Sequence, residues 1–194
     1  MKRLLFILPF LILVSFSKKN TVTHSKTVRI TSDSKLQING TSNVKDFTCQ
    51  YNIQNLHEPI RIHFEKEQDV IKFEKSVLTL ENKGFDCGGK GINSDFHGLL
   101  QSDVYPQITL ELKEIKLRPH EKNIADALVE IEIAGLTNAY QMTTEFYFEE
   151  NWLISGKLKL NIKNFDLEAP KKMFGLIVVS DEIEIDFNLV IEAH

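Results

Sequence analysis

The chain has 194 residues, a formal net charge of −4, 42% apolar side chains and two cysteines. It contains no basic block, so nucleic acid and anionic membrane surfaces are poor partners. The length suits one domain with a substantial core.

The first seventeen residues, MKRLLFILPFLILVSFS, have the layout of an export signal. Lys2 and Arg3 give a positive start, Leu4 to Val14 form an apolar run, and Ser15 and Ser17 supply small residues at the spacing a signal peptidase prefers. The run is short for a bilayer span and is interrupted by Pro9, which argues against the alternative of a retained anchor. Residues 1–17 are therefore expected to be a cleaved signal peptide, and the protein to be periplasmic or secreted. Cleavage changes the net charge to −6 and leaves about 177 residues, none in a stretch apolar enough to cross a membrane. Residues 18–34 read as a lead-in, polar and frayed over 18–26, and residues 35–194 as the folded domain.

Period-two alternation dominates the folded domain. FTCQYNI places Phe47, Cys49, Tyr51 and Ile53 on one face, and IRIHF does the same for Ile60, Ile62 and Phe64. ITLEL, VEIEI and AYQMTTEFYF continue the pattern, and WLISGKLKLNI and EIEIDFNLVI complete it. This is the signature of antiparallel strands with one wet and one dry face. Breaks between them carry polar or turn residues, among them Asn39-Gly40, His57-Glu58-Pro59 and Glu149-Glu150-Asn151.

GFDCGGKG, residues 84–91, partly matches a phosphate-cradling loop through Gly84, Gly89 and Lys90. Gly91 stands where that loop needs a hydroxyl, and the flanks are not a parallel strand–helix unit. The segment reads as a glycine-rich turn. NSDFHGLLQSDVYP then predicts a helix of two or three turns, capped by Asn93 or Ser94 and closed by Pro106. NFDLEAPKKMFG forms a second irregular stretch before the last strand.

In an exported protein, Cys49 and Cys87 are expected to form a disulfide, with two buried free thiols as the alternative. The bond would tie the glycine turn to the strand holding Cys49. In the chain-entropy account it is worth roughly 4 kcal/mol.

About nine strands and one short helix predict an all-β protein, an antiparallel barrel of about eight strands; a sandwich is the rival. The large dry-face residues either fill the barrel or line a small cavity.

Four stretches, in order, resemble the YceI-like family of exported bacterial proteins: SKLQINGTSNVKDFTC, SDFHGLLQSDVYPQITLELKEI, VEIEIAGLTNAYQMTTEFYF and the closing segment from ISGKLKLNIKNF to LVIEA. They span about Lys35 to Ala193. The resemblance implies a lipocalin-like barrel, periplasmic, whose interior holds a polyisoprenoid chain such as a quinone tail. The chain departs from the family's Arg-Asp-x-His-Leu run, having Asp95-Phe96-His97-Gly98-Leu99 without the arginine, and it carries cysteines the family often lacks.

A prenyl-binding barrel needs an apolar lumen and few polar partners. Alternation nominates Leu110, Leu112, Ile133, Met142, Phe146, Phe148, Trp152, Leu158, Leu160 and Phe187 as its lining. Phe96, Leu99, Leu100, Met173 and Phe174 are candidates for the barrel mouth, either gating an open end or plugging a closed core. The histidines at 24, 57, 63, 97, 120 and 194 show no short ligand spacing, so no metal is expected. No G-x-S-x-G or poised Ser-His-Asp set stands out, so catalysis is not expected; with the isoprenoid ligand that the family resemblance implies, a non-enzymatic carrier or store of an isoprenoid or similar lipid is the leading expectation. An envelope interaction module with a packed barrel is the alternative.

Overall fold

The computed structural model describes residues 23–56, 58–172 and 176–193. The expected signal peptide, His57, Met173, Phe174 and His194 lie outside them. The strands are Thr23–Ile30 (β1), Lys35–Ser42 (β2), Phe47–Tyr51 (β3), Ile60–Glu67 (β4), Val70–Glu81 (β5), Phe85–Asp86 (β6) and Gln107–Leu117 (β7). They continue with Ile124–Ile133 (β8), Leu136–Phe148 (β9), Trp152–Asn161 (β10), Lys171–Lys172 (β11) and Ile177–Ala193 (β12). The helix is Lys90–Leu99 (α1).

Eight strands close a ring in the order β1-β4-β5-β7-β8-β9-β10-β12, with β12 returning to β1. Every pairing among them is antiparallel. The protein is therefore the antiparallel barrel that the alternation predicts. Closure pairs the first and last strands of the ring and so leaves fewer free sheet edges, which reduces the aggregation hazard of so many apolar strands. Strand β12 serves two neighbours in succession on one side: residues 179–188 pair with β2, and residues 191–193 pair with β1. Through β2 it carries a short annex of β2, β3 and β6.

The core follows the alternation. In β8, Ala125, Ala127, Val129, Ile131 and Ile133 are all buried, while Asp126, Glu130 and Glu132 face outward between them. The ladder carries this phase around the ring, from Ile131 to Leu110 in β7 and from Ala127 to Met142 in β9. The β8–β9 connection is a two-residue turn at Ala134-Gly135, both left-handed at φ 49° and 80°, which matches the primed turns favoured by twisted hairpins.

Three local expectations change. The polar stretch read as frayed includes the start of β1, whose residues 23–28 pair with β4; its side chains are polar because that end of the barrel meets water. Asn39-Gly40 is no turn but lies inside β2, where the absence of a Cβ lets the Phe47 ring pack onto the Gly40 backbone. The helix begins at Lys90 with Gly89 at its cap, four to five residues before the expected cap at Asn93 or Ser94. Asn93 is instead turned back onto the glycine loop, accepting from the Cys87 N–H at 2.7 Å and donating to Asp86 at 3.0 Å.

Candidate ligand-binding interior

The barrel interior contains a cavity of about 70 Å³ whose exposed lining is wholly apolar. It is bounded by Leu36 and Ile38 of β2, Leu80 of β5, Leu110 of β7 and Ile133 of β8, among others. No charged side chain lines it. Phe96 and Leu99 of α1, with Leu100 beyond it, cover one end.

Of the residues nominated for the lining, Leu110 and Ile133 border the cavity. Leu158 and Leu160 are buried in the core beside it, and Leu112, Met142 and Phe187 are half-buried against that core. Phe146 is half-buried and contacts Trp152 with ring centroids 6.2 Å apart. Phe148 and Trp152 do not join the packed interior. They share its phase but stand at the strand ends, 61% and 38% exposed, with their rings 4.8 Å apart on the rim. Of the residues nominated for the mouth, Phe96, Leu99 and Leu100 border the cavity, whereas Met173 and Phe174 lie outside the described residues.

Alternation also holds signals that the nominated set omits. Leu36 and Ile38 alternate in KLQI, and Leu78 and Leu80 in VLTL. Both pairs fall on the inner face and belong to the core or pack on it. Phe85 is different: a two-residue strand has no period to read.

The cover is anchored at both ends. Before the helix, Cys49 and Cys87 form a disulfide, so the glycine turn is fastened to β3. Gly88 donates its N–H to Asp86 at 2.9 Å, and with the Asn93 amide, the stronger of the two influences, this holds the Asp86 carboxyl below its ordinary range. After the helix, Asn82 donates to the Ser102 hydroxyl at 2.9 Å and the Tyr105 carbonyl at 2.8 Å. Between these anchors no residue of α1 is fully buried. The helix lies on the barrel through Phe96, whose ring meets Phe85 at 5.3 Å, and Phe85 in turn meets Tyr51 edge-on at 4.9 Å.

A closed eight-stranded barrel with an apolar interior and a helical cover defines the class of lipocalin-like barrels. Comparison with protein families matches the YceI-like domain over residues 14–191, and the chain belongs to that family. A search of curated proteins finds no match.

Among solved structures, the chain is similar to a polyisoprenoid binding domain from Saccharophagus degradans, implicated in plant cell wall breakdown. The two share 13% identity over 88% of this chain and 100% of that one, with a TM-score of 0.61. BcnA from Burkholderia cenocepacia matches at 18% identity and a TM-score of 0.55, over 81% of this chain and 95% of that one. The YceI protein of Campylobacter jejuni matches at 14% identity and 0.52, over 63% and 74%. At these identities the likeness establishes the fold.

Proposed function

We infer that the protein is an exported, non-enzymatic binding protein that holds an isoprenoid or similar long apolar lipid inside its barrel, for transport or storage. One observation carries this reading: an interior bordered entirely by apolar surface lies beneath a helix that has no fully buried residue of its own. Such an interior gains about 25 cal/mol for each Å² of chain it removes from water, and it requires no polar partner along the chain's length. Family membership and the solved polyisoprenoid-binding relative support the same reading.

The cavity volume sets the mechanism. An engineered void of about 150 Å³ holds one benzene, so about 70 Å³ admits only a fragment of a prenyl chain without adjustment. Uptake therefore involves displacement of Phe96 and Leu99, with α1 tilting between its two anchors. Native mass spectrometry of protein purified from its own host tests the reading. A co-purifying lipid, released by organic solvent, is the expected result. A bare protein that also fails to take up added prenyl lipid removes it. The small volume equally favours a second reading, a packed envelope module without ligand, for which a reproducible protein partner and no lipid would be found.

A further inference from the structure

Three apolar side chains project from loops into water, and all three loops lie at the covered end of the barrel. Val44, Val104 and Leu176 are 68%, 69% and 70% exposed, the highest values for large apolar side chains among the described residues. Val44 is in the β2–β3 loop, Val104 in the loop between α1 and β7, and Leu176 directly before β12. Each stands a few residues from the border of the cavity, which is reached at Phe47, Leu100 and Val179 respectively.

Hydrogen bonds brace each loop beside its apolar residue. The Ser42 hydroxyl accepts from the Val44 N–H at 3.2 Å and the Lys45 N–H at 3.0 Å, and donates to the Lys45 carbonyl at 2.7 Å. Asn82 holds the second loop on both sides of Val104, at Ser102 and Tyr105. Asn43 donates to the Leu176 carbonyl and accepts from the Val178 N–H, both at 2.9 Å. A single exposed apolar residue is ordinary, but three on braced loops around one opening form a surface suited to an apolar partner.

Contacts link these loops around the rim. Tyr105 rests on Gly135, the Asn138 amide donates to the Asn164 carbonyl at 2.8 Å, and Lys163 pairs with Asp181 near the start of β12. Charges at the loops are of both signs, with Lys45, Lys171 and Lys172 against Asp46, Asp103 and Glu168. The far rim, where β9 ends at Phe148, is different: Glu149 and Glu150 form its tip and would lose their hydration against an apolar partner.

Resting on the lipid-binding reading above, we propose that the covered end docks on a bilayer of zwitterionic phospholipid, with Val44, Val104 and Leu176 dipping into its interface. The three tips are separate points, which a fluid interface accepts, whereas a protein partner needs one continuous complementary patch. Because the charges are mixed, apolar burial carries the contact rather than attraction to anionic headgroups. Docking in this orientation sets α1 against the membrane, so a chain leaving the bilayer reaches the cavity without crossing water.

Flotation of the purified protein with phosphatidylcholine vesicles tests the surface. The wild type should float, with no gain when phosphatidylglycerol is added and no loss at high salt. V44S, V104S and L176S should each lower partitioning about tenfold, the loss expected for one aliphatic side chain, and F148S should leave it unchanged. Because the three side chains are exposed, none of these variants should shift the melting temperature. Uptake is then read by mass spectrometry with geranylgeraniol supplied either in the vesicles or from ethanol. The wild type should take it up by both routes, and the triple variant only from ethanol. No flotation of the wild type, flotation that requires phosphatidylglycerol, loss of flotation in F148S but not in the triple variant, or a wild-type dimer that the triple variant abolishes each overturns docking, while uptake from ethanol keeps lipid binding intact. Uptake by neither route overturns the lipid-binding reading and the docking proposal with it.

Discussion

The ring of Phe47 lies across the backbone of Gly40 so closely that a Cβ on Gly40 would come within 2.2 Å of the ring's Cζ. Phe47 also borders the interior cavity, so this contact fixes part of the cavity's wall. G40A should force the ring to swing away and destabilise the protein by about 1–3 kcal/mol, the usual range for overpacking. Urea unfolding measures it. An unchanged midpoint would show that the ring moves freely and that the glycine is dispensable.

The Cys49–Cys87 bond fastens the entry to α1 onto the annex. Replacing both cysteines by alanine should lower stability by about 2–5 kcal/mol, the range found when native disulfides are removed from small exported domains. Adding dithiothreitol should shift the wild-type unfolding curve towards that of the variant and leave the variant's own curve in place.

Arg118 grips Asp126 with two parallel hydrogen bonds, Nε to Oδ2 at 2.9 Å and Nη2 to Oδ1 at 2.6 Å. This pairing, with the Thr143 hydroxyl assisting, holds the Asp126 carboxyl below its ordinary value. A depressed folded-state pKa means the carboxylate's contribution is complete above the unfolded value of about 3.9 and is lost as pH falls through the folded one. R118M should therefore be less stable than the wild type at neutral pH, with the gap narrowing below about pH 4. Nuclear magnetic resonance titration should show the Asp126 carboxyl rising in the variant. A stability gap independent of pH would mean that Arg118 acts through packing alone.

Phe96 covers the cavity without being fully buried. F96A should cost about 1–2 kcal/mol, less than the ~3–5 kcal/mol of a wholly buried phenylalanine, while opening the interior. Enhanced fluorescence of an anilinonaphthalene dye would report that opening. Unchanged dye uptake would count against α1 as the movable cover.

Most of the wall is readable from alternation, because a side chain on a strand that is dry on one side has a period of two. Ile131 and Ile133, Leu158 and Leu160, and the inner face of β12 from Ile183 to Ile191 obey that rule. It fails where a bulge changes the phase, as between Lys72 and Ser76 of β5. Neither Lys75 nor Lys113 carries a turn-forming signal, so the burial of Ser76 is visible only in three dimensions. Gly40 misleads for a related reason, since Asn-Gly is a strong turn signal and a close aromatic contact leaves no local trace. The family resemblance points to the barrel, but the interior volume depends on how the strands tilt and interlock, which no single strand records.

Strand β12 pairs with β1, with Val28 opposite Ala193. The ring cannot close until the last residues of that strand are available, and its closing contacts join residues 28–30 to residues 191–193. Contacts so distant in sequence slow folding, because loop-closure entropy is lost before they form. Until then the inner face is exposed as a strip of apolar strands. A nascent chain therefore cannot trap its own interior early, and a hydrophobic molecule present at the moment of closure has its best access to the space that later becomes enclosed.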